Sequence, residues 1–394
     1  MKQTIAVVIY SNPDYLPPSS SAIRLLSNKY NVVVISRSQD EASGVYPENV
    51  ELIRLGKHGT AIYKEKQPFI IRIAEYILFL IKVRCIVRRR RCSLVYGFDN
   101  HGFIAAFFAS RVFRHIPLIY HNLDIYSSGK FNMFSWIMER AEFHLLRFAE
   151  AAVFCNSRRK EYFASKTAMP GQIFIAMNAP LRLDILPKNR LSPILLERGF
   201  PENVKVVFYQ GAINRDHFIV EIIRSMKQWP LDSVLVMCGI ALEDYKDKLY
   251  REIEKSDFNK RIIILPYVQH SELKFYTSGA SLGLALFNFG SGDLNLSSMA
   301  GASNKFFEYF AAGVPVLTNS GGDFNSLIQD DAVYTAESVS EIDIGNAINS
   351  ALSDVNELNR RKLIARRLHL DKFNYEMQMA PVLSFLGSEL PEDN

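Results

Sequence analysis

The chain has 394 residues, which is too long for one ordinary domain and predicts two. Hydrophobic residues make up 48% and charged residues 22%, a balance that excludes a disordered chain and indicates a globular one. The net charge of +5 is unevenly distributed, because residues 1–185 hold 25 Lys and Arg against 14 Asp and Glu, whereas the remainder hold 21 against 27. A basic first half and an acidic second half favour two domains with different partners.

Signals for secretion and for membrane insertion are not found in the sequence. The chain begins with a predicted strand over residues 4–10 rather than with the apolar core of a signal peptide. The nearest candidate for a membrane span, residues 69–83, contains charged residues and should not cross a bilayer. The four cysteines, Cys85, Cys92, Cys155 and Cys238, are not spaced as in a disulfide framework or a metal site. We therefore expect a cytoplasmic protein with reduced cysteines and no bound metal.

The first half alternates strands and helices in the pattern of a parallel sheet. A strand over 4–10 is followed by a loop whose serines should cap a helix reaching residue 30, and a second strand covers 31–36. Further strands are predicted over 51–55, 93–98, 117–120, 151–155 and 172–177, and helices over 68–91, 102–113, 131–150 and 158–166.

The helix predicted over 68–91 is apolar along most of its length and ends in six cations. These are Lys82, Arg84, Arg88, Arg89, Arg90 and Arg91. Two interpretations stay open. The cations could be favoured by the negative C-terminal end of a core helix. Alternatively, Arg88–Arg91 could make peripheral contact with an anionic membrane, whose surface attracts each cation by about 1 kcal/mol. Nucleic acid is disfavoured as a partner, because no recognition helix, zinc motif or stacking motif accompanies the cluster.

Polar residues follow the strand predicted over 117–120. Ligands of open α/β sheets bind beyond the carboxyl ends of the strands, so His121 and Asp124 are candidate site residues. A structural hydrogen bond is the alternative interpretation of His121.

The second half begins after a proline-containing linker over 186–203. A strand over 205–210, Gly211 and a helix over 218–229 form the arrangement that directs backbone N–H groups at a phosphate, and Arg215 or His217 would add positive charge. A long loop covers 287–303, a length typical of functional loops. Further strands are predicted over 233–238, 261–265, 281–286 and 333–335, and later helices over 338–369 and 373–386.

Residues 303–317 predict a helix, a glycine stop and a buried strand. Asn304, Lys305 and Glu308 fall near one helical face, and Gly313 has the left-handed freedom that ends helices. The ammonium could bind phosphate while the carboxylate accepts hydrogen bonds from ribose hydroxyls. The alternative is an ordinary surface ion pair, which stabilises a helix by about 0.2–0.5 kcal/mol.

The sequence NKFFEYFAAGVPV at residues 304–316 resembles the nucleotide-sugar site of retaining glycosyltransferases of family 4. The resemblance extends more loosely over nearly the whole chain. It implies the GT-B fold, an α/β architecture of two Rossmann-like doubly wound parallel-sheet domains facing a central cleft. The expected domains are an acceptor-side domain over 1–185, a nucleotide-sugar-binding domain over 186–371 and a C-terminal helix over 372–394 returning to the first domain.

This resemblance implies transfer of a sugar from a UDP- or GDP-linked donor to an acceptor hydroxyl, with retention at the anomeric carbon. Because the chain contains no Asp-Xaa-Asp sequence, protein cations are expected to replace a metal ion. Lys305 and Arg215 would hold the diphosphate with help from the Gly211 amide. Glu308 would accept from ribose, and His121 would orient the acceptor or the sugar.

Two segments depart from the family pattern. The family usually has Arg or Lys where this chain has His217, followed by Gly where it has Phe218. Its first glutamate, eight positions before the one matching Glu308, is replaced here by Ala300.

The basic first domain suggests a lipid-linked or membrane-proximal acceptor, as in cell-surface polysaccharide or glycolipid assembly. Two other functions stay open. One is a GT-B-like sugar-nucleotide 2-epimerase, and the other is a non-catalytic sugar-nucleotide-binding protein.

Overall fold

A computed structural model describes residues 2–39, 44–60, 67–111, 115–126, 133–321, 323–328 and 331–389. These residues form two compact units, one from Met1–Asn178 and Tyr375–Asn394 and the other from Ala179–Asn374. The sequence places this boundary between residues 185 and 186, and the returning helix from 372. Each unit is built on one sheet, of seven and six strands. All the strand pairs are parallel, which confirms the predicted α/β fold with two parallel-sheet domains.

The first sheet has the strand order β3-β2-β1-β4-β5-β6-β7. Its strands are β1 (Thr4–Ile9), β2 (Asn31–Arg37), β3 (Val50–Leu55), β4 (Leu94–Phe98), β5 (Leu118–Asn122), β6 (Ala151–Phe154) and β7 (Gln172–Ile175). The central strands are continuous apolar runs buried on both faces, as expected for a parallel sheet covered by helices.

Six helices among the described residues of the first unit cover this sheet. They are α1 (Pro17–Lys29), α2 (Phe69–Arg89), α3 (Asp99–Arg111), α4 (Met133–Leu146), α5 (Ser157–Ala164) and the last helix of the chain, α15 (Tyr375–Glu389). Helix α3 packs on β1, β4 and β5 and is flanked by α2 and α4, whereas α1 packs against α15.

The second sheet has the order β10-β9-β8-β11-β12-β13. Its strands are β8 (Lys205–Gln210), β9 (Ser233–Cys238), β10 (Ile262–Leu265), β11 (Leu282–Ala285), β12 (Val316–Asn319) and β13 (Val333–Ala336). The order reverses between β8 and β11, and ligands of open α/β sheets bind beyond the carboxyl ends of strands at such a reversal.

The helices of the second unit surround this sheet. They are α6 (Leu191–Glu197), α7 (Ile219–Ser225), α8 (Glu243–Lys255), α9 (His270–Thr277), α10 (Leu294–Ser297), α11 (Asn304–Ala311), α12 (Asn325–Ile328), α13 (Glu341–Ser353) and α14 (Val355–Asp371). Residues of α7, α13 and the inner strands form one buried cluster that includes Tyr209, Ile223 and Ile348.

Several local predictions were wrong. The first helix begins at Pro17 without a side-chain cap, and the Ser19 hydroxyl instead donates backward to the Leu16 carbonyl at 2.8 Å. The predicted linker contains α6, whose Leu191 and Leu195 are buried. The loop over 287–303 contains α10. Strand β5 extends through Asn122, so His121 lies inside the strand rather than after it.

Three predicted helices extend into residues outside the described part of the chain. These are the end of the helix predicted over 102–113, the start of the one predicted over 131–150 and the end of the C-terminal helix expected over 372–394. The described residues contain no helix with the length and hydropathy needed to cross a membrane. They also contain no group of three or more His, Cys, Asp or Glu side chains arranged to hold a metal ion.

Candidate functional site

Helix α11 lies beside the point where the second sheet reverses its strand order. The Ser303 side chain caps it by accepting from the Phe306 amide at 3.4 Å. Tyr309 docks the helix on the sheet, because its hydroxyl lies 2.9 Å from the Phe208 carbonyl and accepts from the Gln210 amide at 3.2 Å. Gly313 ends this segment with a φ of 68°, as the sequence predicts.

The Tyr309 ring also explains a glycine in β11. A Cβ atom added to Gly283 would lie 2.5 Å from the ring of Tyr309, closer than real Cβ contacts allow. The bare strand surface therefore lets α11 approach the sheet, and this approach carries Lys305 and Glu308 to the end of β8.

The Lys305 ammonium lies in an aromatic corner. Its Nζ donates to the Tyr209 hydroxyl at 3.2 Å and lies 4.5 Å from the centroid of the Tyr209 ring and 5.5 Å from that of Phe287. Burial lowers the pKa of Lys305 to about 7, and the negative charge of Glu308 only partly opposes that shift. The site therefore holds a desolvated ammonium that would gain strongly from an anionic partner.

Gly211 follows β8 and lies against this ammonium. Its φ is 117°, and a Cβ atom added there would lie 3.4 Å from both Cε and Nζ of Lys305. The expectation that its amide binds phosphate is not met, because that amide donates to the Cys238 carbonyl at 3.0 Å. Gly211 instead leaves space beside the Lys305 ammonium.

Both oxygens of the Glu308 carboxylate are held by side chains from other elements. Oε2 accepts from Gln210 Nε2 at 2.5 Å, and Oε1 lies 2.6 Å from His270 Nε2. Burial alone would lower the pKa of His270, but the charge and hydrogen bond of Glu308 outweigh it and raise that pKa. The Glu308 side chain is only 16% exposed, so the surface ion-pair interpretation fails for it.

The sequence interpretation did not identify Gln210, His270 or Tyr209 as site residues. Gln210 is the last residue of β8, and Thr277 fixes its amide by donating to Oε1 at 2.7 Å. His270 is the first residue of α9, shortly after β10. Polar residues at the carboxyl ends of adjacent parallel strands were the signal that could have identified both.

Two other candidates lie apart from these contacts. Asn304 is the first residue of α11 and is half-buried. Arg215 lies in a 3-10 turn and is exposed. Burial raises the pKa of Tyr245 in α8 to about 12, and the nearby Arg215 charge opposes that shift. Arg215 therefore has the exposure that contact with an incoming anion requires.

His121, in the first unit, is completely buried in β5. Its Nδ1 lies 2.8 Å from the Tyr96 hydroxyl, and its ring stacks on Phe98 with centroids 4.9 Å apart. Burial lowers the pKa of His121 to about 3, so the ring is neutral at physiological pH. These contacts favour the structural interpretation of His121.

Asp124 differs from His121 because its side chain is 50% exposed. Its carboxylate lies 4.0 Å from the buried Arg159 guanidinium, and its amide donates to Asp99 at 3.1 Å. The backbone is therefore fixed while the carboxylate reaches solvent at the carboxyl end of β5.

His121 should make the stability of the first sheet depend on acid pH. Because its folded pKa is below that of the unfolded chain, its contribution is complete above about pH 6.5 and is lost as the pH falls toward 3. In His121→Gln we expect the opening free energy of β5 to change less steeply between pH 5.5 and 4, by about 1.4 kcal/mol per pH unit. Hydrogen exchange of the β5 amides, corrected for intrinsic rates, measures this slope. His144→Gln, at an exposed position, is the control, and an unchanged slope in His121→Gln would contradict the structural role.

The residues of this site lie in a segment that is similar to a known protein family. Residues 196–367 match the family model described as glycosyl transferases group 1. These residues are similar to a group 1 glycosyltransferase domain. That domain assigns the chain to the glycosyltransferase enzymes and contains Lys305, Glu308, Gln210 and His270. No curated protein sequence matches the chain significantly.

Solved structures resemble the chain over nearly its whole length. Sucrose-phosphate synthase from Thermosynechococcus elongatus is 14% identical with a TM-score of 0.74, and the match covers 99% of this chain and 100% of that one. Anabaena HepE, in complex with UDP and glucose, is 16% identical with a TM-score of 0.71, covering 98% and 100%. A putative UDP-N-acetylglucosamine 2-epimerase from Listeria monocytogenes is 10% identical with a TM-score of 0.62, covering 100% and 98%. These similarities establish the GT-B fold for both units.

The departures from the family pattern have local explanations in the group 1 domain. Phe218 adopts φ 55° and ψ 36°, a left-handed conformation that glycine adopts without strain, and its side chain packs against the core. His217 Nδ1 lies 3.0 Å from the Leu286 carbonyl, and burial, with help from the Lys305 charge, lowers the pKa of His217 to about 3. His217 is therefore neutral at physiological pH. Ala300 is buried, with its amide donating to Asp323 at 3.0 Å.

Proposed function

We propose that the chain is a retaining, metal-independent glycosyltransferase that moves a sugar from a nucleoside-diphosphate sugar to an acceptor hydroxyl. The observation that carries this proposal is the pairing, one helical turn apart, of a desolvated ammonium at Lys305 with the fixed carboxylate of Glu308. Together these groups match the diphosphate and the ribose of one ligand. Retention is supported by the resemblance of residues 304–316 to the retaining family.

The departure of a diphosphate requires positive charge where negative charge develops. Lys305 supplies that charge in a low-dielectric corner, where it is worth more than in water. The exposed Arg215 is a second cation for the same group. Ala212 offers a backbone donor, because its amide donates to no residue in the described part of the chain, and Gly211 leaves room for the phosphate. This set of donors supports catalysis without a metal ion.

The remaining groups position the substrates. Glu308 accepts from the ribose hydroxyls, while Gln210 and His270 hold its carboxylate in place. Asn304 adds a polar side chain at the start of the same helix. Asp124 is the candidate for contact with the acceptor.

A uridine donor is favoured because HepE, which shares the fold, binds UDP-glucose. We further propose a role in cell-surface polysaccharide or glycolipid assembly at the cytoplasmic side of the membrane, on the basis of the basic first half.

A panel of UDP, GDP, ADP and CDP and their sugars tests the donor class by thermal shift. A ligand that binds only the folded chain stabilises it by RT ln(1 + [L]/Kd), about 2.7 kcal/mol at a hundredfold excess over Kd. We expect UDP and UDP-sugars to raise the melting temperature most, with no change on adding EDTA. Equal small shifts for all nucleotides would contradict a specific donor site.

Incubating the chain with the best donor, with and without an acceptor, separates the three candidate functions. Formation of an epimer without acceptor would indicate the epimerase, and binding without turnover would indicate the non-catalytic protein. The anomeric configuration of a transfer product, read by NMR coupling constants, tests retention directly.

A further inference from the structure

Helix α2 in the first unit exposes an apolar stripe to solvent. Its members are Ile70, Ala74, Ile77, Leu78 and Ile81, and the four largest are 78%, 49%, 56% and 54% exposed. They recur at helical spacing on one face. The opposite face is buried and packs through Tyr76 and Val83. Because its buried face already anchors the helix, the exposed stripe is not needed to hold α2 in the fold.

The same exposed face becomes cationic toward the end of α2. Lys82, Arg88 and Arg89 are exposed there. Glu75 is the one acidic residue of α2, and its carboxylate pairs with Arg37 at 2.9 Å. The exposed face therefore carries apolar and positive side chains, and α2 contributes no exposed acidic residue to it.

Helix α4 has the same order of residue types. Met133, Trp136 and Ile137 are 62%, 48% and 39% exposed in its first two turns. Arg140 and His144 follow on the same face and are exposed, and the Arg140 guanidinium lies 5.6 Å from the centroid of the Trp136 ring. The acidic residues of α4, Glu139 and Glu142, are buried.

The two helices lie on the same side of the first sheet. Both flank α3, and their N-terminal turns meet where Phe134 contacts Phe69 and Tyr76, with ring centroids 6.4 and 5.8 Å apart. The two exposed stripes therefore begin at neighbouring helix ends on one side of the sheet, and we call the two stripes together the basic-apolar face. It is defined by Ile70, Ala74, Ile77, Leu78, Ile81, Lys82, Arg88, Arg89, Met133, Trp136, Ile137 and Arg140.

We propose that the basic-apolar face docks on the surface of an anionic lipid bilayer, with the apolar side chains at the acyl boundary and the cations among the headgroups. Helices with one apolar and cationic face lie in the membrane interface in this way, and Trp favours that depth. None of the described helices could span the bilayer, so the contact is peripheral. A symmetric dimer through the same face is disfavoured, because it would bring the like charges of two copies together.

Flotation of the full chain with phosphatidylcholine vesicles, with and without phosphatidylglycerol, tests the proposal. We expect binding only to the anionic vesicles, falling as salt screens the charges. Replacing Arg88 and Arg89 by Gln should weaken binding about 30-fold, the equivalent of ~1 kcal/mol for each charge. Ile77→Ser with Ile81→Ser should weaken it about tenfold at unchanged salt dependence, because only the apolar contact is lost.

Leu231→Ser is the matched control, since Leu231 is 87% exposed but lies in the second unit. It should bind vesicles as the unsubstituted chain does. Sedimentation velocity of each variant reports the oligomeric state, and circular dichroism confirms folding. The proposal would be overturned if the chain does not bind anionic vesicles. It would also be overturned if the Ile77 and Ile81 substitutions dissociate a dimer while vesicle binding stays the same.

Discussion

Replacing Lys305 with methionine should lower kcat/KM for sugar transfer on the order of 10²–10³-fold, the loss expected when one charge-stabilising group is removed. Methionine keeps an unbranched apolar stem against the rings of Tyr209 and Phe287 but removes the ammonium. Because burial already disfavours that charge, the nucleotide-free variant should be at least as stable as the unsubstituted chain at pH 7 and below. Steady-state kinetics and thermal unfolding separate the two effects.

The pH dependence of UDP binding gives a second test of Lys305. Its pKa near 7 means that the ammonium must be restored by proton uptake when a diphosphate binds at higher pH. Calorimetry in buffers of different ionisation enthalpy should show uptake approaching one proton at pH 8, and the affinity should fall with pH above 7. Both effects should vanish in Lys305→Met. Lys260→Met, at an exposed position of the second unit, is the control. Identical proton uptake in Lys305→Met and the unsubstituted chain would remove Lys305 from the diphosphate site.

Replacing Glu308 with glutamine should weaken UDP-sugar binding about 10- to 100-fold, the equivalent of 1.5–3 kcal/mol for hydrogen bonds to a charged group. Glutamine keeps the size of the side chain but replaces one acceptor oxygen with a donor, which would face the Gln210 amide or His270. We therefore expect loss of both the ribose contact and the fixed orientation. Fluorescence or calorimetric titration with UDP measures the change.

A double-mutant cycle with 2′-deoxy-UDP tests whether Glu308 acts on the ribose. If the Glu308 carboxylate accepts from the ribose 2′-hydroxyl, removing this hydroxyl from the ligand should lower the affinity of the unsubstituted chain. It should hardly change the affinity of Glu308→Gln. Glu272→Gln is the control, because Glu272 pairs with Arg190 on the surface of α9 and has no proposed role. Strictly additive losses would show that Glu308 does not interact with the ribose 2′-hydroxyl.

Much of the fold could be predicted because its signals are local. The apolar runs of β1 and β8 and the stop at Gly313 lie within short segments, and the structure has a strand or a helix end at each. The errors occurred where a weak local signal competed with a tertiary contact. Residues 191–197 lack clear periodicity but form a helix because Leu191 and Leu195 are buried.

The candidate site was only partly predictable. Lys305 and Glu308 share one helical face by spacing alone, and their segment matches a family pattern. Gln210 and His270, however, are separated from Glu308 by 98 and 38 positions in the chain. Their contact with its carboxylate exists because the carboxyl ends of β8 and β10 lie at the same edge of the sheet.

The sequence by itself determined the strands, their parallel arrangement, most of the helices and the helix that presents Lys305 and Glu308, because backbone periodicity and helix stops depend on neighbouring residues. Tertiary structure alone decided that the Lys305 ammonium is desolvated, that the Gly211 amide is already bonded and that His121 is buried. Desolvation and hydrogen-bond pairing depend on which distant segments pack together, and no local pattern in a single chain specifies that packing.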